Sequence, residues 1–534
     1  TGLSSLRPLG LRLPRGCFFG FRFATVRTAR IQRMYQRLIA LAVGLAVGLT
    51  PAPAAFAAGT GVGQYNLPSL GTVAGADLTT MDERQLGEQL MRRVRGDASF
   101  MSDPETTDYL NRLGYRLVAA GDPSPYDFFF FPIRNKTLNA FALPGGFVAV
   151  HSGLIVAAQT ESELAGVIGH EIGHVTQRHI ARMLQQGEGS LAMTLGSILL
   201  ALLAARAGGS SGGDAAMGIV MGTQAAMIQK QLGYSRDAER EADRVGLVSL
   251  EKAGFDPHGM EDFFGRLQKN NRWYETASTA YLSTHPLTGE RISDMQNRTR
   301  TLPKVKYDDS LDFKLIQSRM RVLQETNFDG WSKAVKSFDQ ALKEKPDRER
   351  EASIHYGKAV AYQKMNRLKD ALSEVELAKN LAGVSDVVID KLASELVFAN
   401  AKTAPEKKKA LELARSTAQK YPYSGLAATN YAELLHQAGD DAAVVKFVRN
   451  QKAITRSDPD YYAYLARSYE ALGQKSLSFS ATGYMYELMN NPRAALYQFD
   501  LAQKANDADF YAMSEIDAKL RELRERVSAL DKDK

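Results

Sequence analysis

Cysteine is nearly missing: the 534 residues hold one, Cys17. With no second thiol there is no intrachain disulfide and no thiolate zinc site. Cys17 lies in an amino-terminal stretch that is expected to be shed, so the mature protein would also lack a cysteine nucleophile and a lipid-bearing cysteine. Acid is missing from that same region, since residues 1–57 carry eight arginines and no Asp or Glu. Those eight explain the net charge of +7, because the remaining residues carry 59 basic against 60 acidic groups. The basic balance belongs to the leader, and no nucleic-acid partner is expected. Long apolar runs are also scarce. The most apolar internal stretch, residues 191–205, is interrupted by Thr, Gly and Ser and closed by Arg206. It falls short of the roughly 20 residues that span a bilayer. Its expected use is a flap or a surface-seeking helix with peripheral membrane contact.

The leader divides in two. Met34-Tyr-Gln-Arg is a short positive segment, residues 38–49 are an apolar core, and Ala55-Phe56-Ala57 is an Ala-x-Ala cleavage site. Residues 34–57 therefore read as a signal peptide with a mature start at Ala58. Residues 1–33 begin with Thr, are Arg-rich without periodicity, and read as a non-native stretch upstream of the true start. The alternative, one organelle transit peptide, would place the same protein in a mitochondrion. A protein without cysteine behind a signal peptide fits the periplasm of a Gram-negative bacterium, where it would be soluble after cleavage.

At 44% hydrophobic and 24% charged residues, the rest of the chain has the composition of ordinary folded domains. Residues 58–77, rich in Gly, Ser and Thr, read as a linker. Apolar residues at three- and four-residue steps (Leu86, Leu90, Met91, Val94; then Leu110, Leu113, Leu117) predict two amphipathic helices. Between Tyr126 and Ile155, aromatic and β-branched runs split by Pro144-Gly145-Gly146 predict a small sheet with a tight turn. Helical spacing returns at Glu161, and a polar helix is predicted over residues 235–253. Beyond about residue 305 the chain is almost wholly helix-forming. Ala334 and Ala371 begin similar small-and-aromatic signatures 37 residues apart, near the 34 of tetratricopeptide repeats. About four degenerate repeats are expected.

The chemistry centres on His170-Glu171-Ile172-Gly173-His174. On a helix, histidines four apart share a face and can both reach one metal ion. Glu171, rotated by about 100°, is free to act on the metal's water. Eight histidines make a chance His-Glu-x-x-His an event expected on the order of 0.01 times in this chain, so coincidence is set aside. A catalytic zinc site takes three protein ligands. The third is expected from the carboxylate run Asp237-Ala-Glu239-Arg-Glu241-Ala-Asp243, with Glu239 as ligand and Asp243 as partner of a ligand histidine or proton carrier. The segment Leu143 through His151 is either an edge strand that pairs with an extended peptide beside the metal or an internal core strand. His151 and His179 read as structural.

Asn139-Ala-Phe-Ala-Leu-Pro-Gly-Gly, Glu163-Leu-Ala-Gly-Val-Ile-Gly-His-Glu-Ile-Gly-His, Tyr234-Ser-Arg with Glu239-x-x-Ala-Asp243, and His285-Pro-x-x-x-x-Arg291 together resemble the prenyl-protein-protease/HtpX-like zinc metallopeptidases. The resemblance covers about residues 78–305. It implies one Zn²⁺ per chain on His170, His174 and Glu239, with Glu171 as general base and Asp243 as support or proton donor. It also implies that His285 caps the metal in a latent state or stabilises the oxyanion, with Arg291 nearby. With its repeats, the mature chain is similar to the periplasmic members of that family that serve outer-membrane β-barrel assembly.

The expected fold is thus mainly α: a zincin-type metallopeptidase domain with a small β-sheet over residues 78–305, then an α-solenoid of tetratricopeptide repeats over residues 306–534. The expected function is that of a periplasmic endopeptidase for misfolded or stalled outer-membrane proteins. Its repeats would dock those clients or the β-barrel assembly machinery. The competing expectation is a chaperone-like assembly adaptor with a mostly latent peptidase, because residues 306–534 are as long as the catalytic part.

Overall fold

Side-chain caps start the first two helices. The Thr79 hydroxyl accepts from the Asp82 N–H, and Asp82 accepts in return from the Thr79 N–H, which opens α1 (Thr80–Gly96). Asp103 caps α2 (Pro104–Ala120), which begins with the proline that suits a first helical position. The apolar stripes predicted from spacing, Leu86 to Val94 and Leu110 to Leu117, are buried. These helices belong to a computed structural model that describes residues 78–186, 236–270, 279–456 and 458–532. The leader, the linker through residue 77 and the apolar stretch 187–228 lie outside the described residues.

Three strands follow: β1 (Phe129–Ile133), β2 (Ala140–Leu143) and β3 (Phe147–His151). The sheet order is β1-β3-β2, with β1 parallel and β2 antiparallel to β3. Leu143 pairs with Phe147 across the turn at Pro144-Gly145-Gly146, where both glycines take positive φ, 77° and 93°. A Cβ on Gly145 would also lie 2.5 Å from the Arg84 Cα, so the turn requires glycine twice over.

Of the two readings of residues 143–151, the internal core strand holds and the edge strand does not. β3 has a partner on each side and no free edge, because the chain crosses from β1 over to β2 before returning between them. Among the described residues, the two strands with a single partner in the sheet are β1 and β2, and β2 lies against the next long helix.

Helices follow the sheet: α3 (Ser152–Ala157), α4 (Glu161–Thr176), α5 (His179–Gln186), α6 (Arg236–Lys252), α7 (His258–Asn270), α8 (Thr279–Thr284) and α9 (Gly289–Thr299). Every residue of α4 from Glu161 to Val175 is buried, so it is the central element. It packs on β2, α2, α7 and, most extensively, α6. The crossing with α6 is made by glycines: a Cβ on Gly246 would lie 2.8 Å from the His170 backbone N, and one on Gly173 would lie 2.9 Å from the Ala242 O. Without side chains at these points the two backbones approach closely.

Twelve helices follow: α10 (Leu311–Leu323), α11 (Phe328–Lys343), α12 (Arg348–Lys364), α13 (Leu368–Ala382), α14 (Val387–Asn400), α15 (Ala404–Lys420), α16 (Gly425–Gln437), α17 (Asp441–Arg449), α18 (Pro459–Ala471), α19 (Lys475–Leu488), α20 (Pro492–Ala505) and α21 (Phe510–Lys532). Neighbours in sequence pack on one another. Left-handed residues close many of them, among them Lys345, Asn366, Gly383, Gly439, Gly473, Asn490 and Asn506. Ala334, Tyr356, Ala359, Ala371 and Ala378 of the repeat signatures are buried between helices. The fold is mainly α with one small sheet and a tetratricopeptide-like helical region, as expected. No helix among the described residues is long and apolar enough to cross a membrane.

Candidate metal centre

α4 starts at Thr160, whose hydroxyl accepts from the Glu163 N–H. Its first carboxylate, Glu161, accepts from Tyr109 Oη (2.9 Å), Tyr307 Oη (2.8 Å) and Ser310 Oγ (2.9 Å). The helix is therefore held at its amino end while its last turns carry the reactive side chains. His170, Glu171 and His174 are each fully buried.

The glycine crossing brings α6 within reach. Glu239 Oε1 lies 3.4 Å from His174 Nε2, and Glu239 Oε2 lies 3.6 Å from His170 Nε2. His285, just after α8, joins them, with Nδ1 at 3.1 Å from Glu239 Oε1 and 3.3 Å from His170 Nε2. One donor atom from each of these four residues lies within 4.8 Å of the other three.

The donor set fits a metal ion. The two Nε2 atoms of His170 and His174 face each other at 2.9 Å. His170 Nδ1 is 2.8 Å from Asp243 Oδ1, and His174 Nδ1 is 2.8 Å from His179 Nδ1. When each ring spends its proton on the Nδ1 side, two lone pairs point at one another across the gap, and a cation between them relieves the repulsion. Nitrogens about 2.0–2.1 Å from a tetrahedral zinc lie about 3.3 Å apart, close to the separation found.

The surroundings tune these groups. Burial pushes the Glu171 carboxyl above its usual range, against the pull of His285, whose Nε2 lies 3.4 Å from Glu171 Oε1. Burial also pulls His174 well below the ordinary imidazole value, which leaves the ring neutral as a ligand must be. Glu239 is driven the opposite way from what burial alone would do. The charge of His285 and the hydrogen bond from its Nδ1 hold it well below the usual carboxylate range. Asp243 is likewise lowered against burial, by hydrogen bonds from Arg291 and His170.

All seven sequence-derived site residues lie together. Arg291, on α9, donates to both oxygens of Asp243 at 2.7 Å each, and its third nitrogen is 2.7 Å from Glu239 Oε2. Asp243 is thus placed between His170 and Arg291, the position of a support. His151 is structural as expected: buried in β3, it is hydrogen-bonded to Thr137 Oγ1 at 3.0 Å, and burial lowers it to about 4.

Sequence reasoning missed two contributors. Tyr281, on α8 one turn before His285, is fully buried with its ring centroid 4.8 Å from that of His285. His179 touches His174 because Arg178, in the left-handed region at φ 55°, turns the chain back between α4 and α5. A turn of that kind at an arginine leaves no sequence signal.

Comparison with known proteins agrees with this geometry. Residues 104–299 match the model of "Peptidase family M48". The beta-barrel assembly-enhancing protease of Escherichia coli K12 is 39% identical over 257 residues, covering 47% of this chain and 51% of that protein. The protein of the same name from Yersinia pestis is 36% identical over 309 residues, covering 57% and 61%. The chain thus spans between half and two thirds of the length of these two relatives. Among solved structures, a tetratricopeptide repeat protein from Parabacteroides merdae aligns with 48% of this chain and 98% of its own at 12% identity and a TM-score of 0.26.

Proposed function

We propose that this chain, whose residues 104–299 match the model of peptidase family M48, is a zinc-dependent endopeptidase of the periplasm that acts on misfolded or stalled outer-membrane proteins. The observation that carries the reading is the buried donor cluster, above all the two Nε2 atoms facing each other at 2.9 Å with Glu239 beside them. His170, His174 and Glu239 would hold one zinc ion.

When bound, zinc supplies Lewis acidity toward the scissile carbonyl and the attacking water. Glu171, its carboxyl raised by burial and its Oε1 3.4 Å from His285 Nε2, takes the proton from that water and returns it to the leaving amine. Asp243 and Arg291 orient His170 and Glu239. β2, lying against α4, is the singly paired strand beside the donor-bearing helix and offers its edge to an extended peptide, which favours unfolded segments over folded ones. The helical repeats would dock the client or the β-barrel assembly machinery, a reading supported by the names of the two relatives.

A second reading, an assembly adaptor with a mostly latent peptidase, is favoured by the position of His285 inside the donor cluster, 3.1 Å from Glu239. One substitution separates the two. Glu171→Gln keeps zinc and is expected to lose cleavage of an unfolded porin by at least about 10²-fold. Undiminished cleavage would refute the mechanism. Restoration of outer-membrane assembly by the same variant in a deletion strain would make binding the main activity. Amino-terminal sequencing of the exported protein tests the compartment, with a mature start at Ala58 expected.

A further inference from the structure

Each histidine of the metal-binding turn has a chain of hydrogen bonds behind it. The one behind His170 runs through Asp243 to Arg291. The one behind His174 runs from its Nδ1 to His179 Nδ1 at 2.8 Å, then from His179 Nε2 to Glu241 Oε2 at 3.0 Å, and ends on Arg182 at 2.8 Å from the same carboxylate. His179 is 3% exposed, so its ring is fixed by these contacts and not by solvent.

Proton counting gives this chain a direction. Two Nδ1 atoms at 2.8 Å share one proton. If His174 owns it, the His174 Nε2 lone pair is free for a metal. His179 then accepts at Nδ1, carries its own proton on Nε2, and donates it to Glu241. The competing tautomer of His174 would turn an Nε2 proton toward His170 Nε2, 2.9 Å away, and Glu239 Oε1, 3.4 Å away, and would offer a metal one lone pair fewer. A carboxylate at the far end of the chain favours the first arrangement.

We propose that His179 and Glu241 are positioning residues that hold His174 in its Nδ1–H tautomer with the Nε2 lone pair presented to the metal. The claim rests on the zinc reading above. It also gives α6 a wider task, since one turn of that helix then supplies a ligand, Glu239, and the outer carboxylates of both histidines, Asp243 and Glu241.

The test uses the full chain with ¹⁵N-labelled histidine. Imidazole spectra are read without metal, and zinc affinity is measured against a competing chelator. In the wild type, His174 is expected in the Nδ1–H form. His179→Asn keeps an acceptor near the Nδ1 position and is expected to preserve both that tautomer and the affinity to within about threefold, whereas His179→Leu removes the acceptor. His179→Leu should lose the tautomer and weaken zinc binding about 10- to 100-fold. Glu241→Leu, at a side chain 29% exposed and so dispensable for folding, should weaken zinc binding about 3- to 10-fold. It decides the matter if His179→Leu does not fold. Wild-type tautomer and affinity in His179→Leu would overturn the proposal, as would an Asn variant no better than the Leu one or an unchanged Glu241→Leu. A wild-type chain that binds no zinc would instead sink the proposed function, while the metal-free spectra would still report on the relay.

Discussion

Two imidazoles four residues apart and a glutamate between them were legible from the sequence because helical periodicity alone places them. Glu239 and Asp243 were legible as a carboxylate run on a later helix. The pairing of each with its histidine was not, because it depends on how closely α4 and α6 approach. His285 came only through family resemblance, and His179 was read as inert because its reach to His174 depends on a left-handed Arg178. At this scale Asp243 is the most exposed to test. Its two oxygens serve His170 and Arg291, and Asp243→Asn removes the charge while keeping the shape. Zinc affinity is expected to fall about 10- to 100-fold, measured by chelator competition. An unchanged affinity would mean that Asp243 is not the partner of a ligand.

Glycine decides how the elements meet. Gly246→Ala drives a methyl to within 2.8 Å of the His170 backbone N, with the rigid interior of α4 unable to yield. The expected cost is about 1–3 kcal/mol of stability, seen as a lower melting temperature, together with weaker metal binding as Glu239 moves off the histidines. A variant with wild-type melting and zinc content would show the crossing to be looser than drawn. The choice left open for residues 143–151, edge or internal strand, is also decided at this scale, because β3 is paired on both sides. All five residues of β3 and all four of β2 are buried, so neither strand shows the alternation that marks an exposed edge.

The start of α14 carries a pH dependence. Asp386 caps it by accepting from the Val388 and Ile389 N–H groups at 2.8 and 3.2 Å. Burial, and then the charge of Asp312 on α10, push the Asp386 carboxyl up to about 7; Asp312 itself is held by Arg112 at 2.6 Å. The folded state therefore keeps a proton that the unfolded chain releases near 3.8, and stability contributed by this group is lost as pH rises from about 4 through about 7. Asp386→Asn still caps the helix and removes the penalty. Its melting temperature should exceed the wild type's at pH 8, with the gain shrinking toward pH 4. A gain independent of pH would contradict the assignment.

At the scale of the whole molecule, charge buried outside the site joins the catalytic part to the repeats. Arg319 of α10 meets Asp103 at 2.6 Å and Glu105 at 2.9 Å, and it donates to Tyr356 of α12 at 3.0 Å. Lys391 of α14 reaches Glu105 at 2.8 Å. A buried network of this kind is costly to break, because removing one partner strands the others. Arg319→Met should lower stability by about 3–5 kcal/mol, read as a fall in the urea midpoint, while leaving the donor cluster and zinc content intact. No shift in the midpoint would show that the network does not hold the two parts. None of these pairings was legible in the sequence, where Asp103 and Arg319 stand 216 residues apart. The helical character of the repeat region was, because small and aromatic residues recur at its period.

The central claim is that four buried side chains from α4, α6 and the end of α8 are arranged around a metal. Metal analysis of the purified full chain, beside Glu239→Ala and His170→Ala, tests it most directly. The account predicts one zinc per chain in the wild type and substoichiometric zinc in both variants. A folded wild-type chain without stoichiometric zinc, or variants that retain it in full, would contradict it.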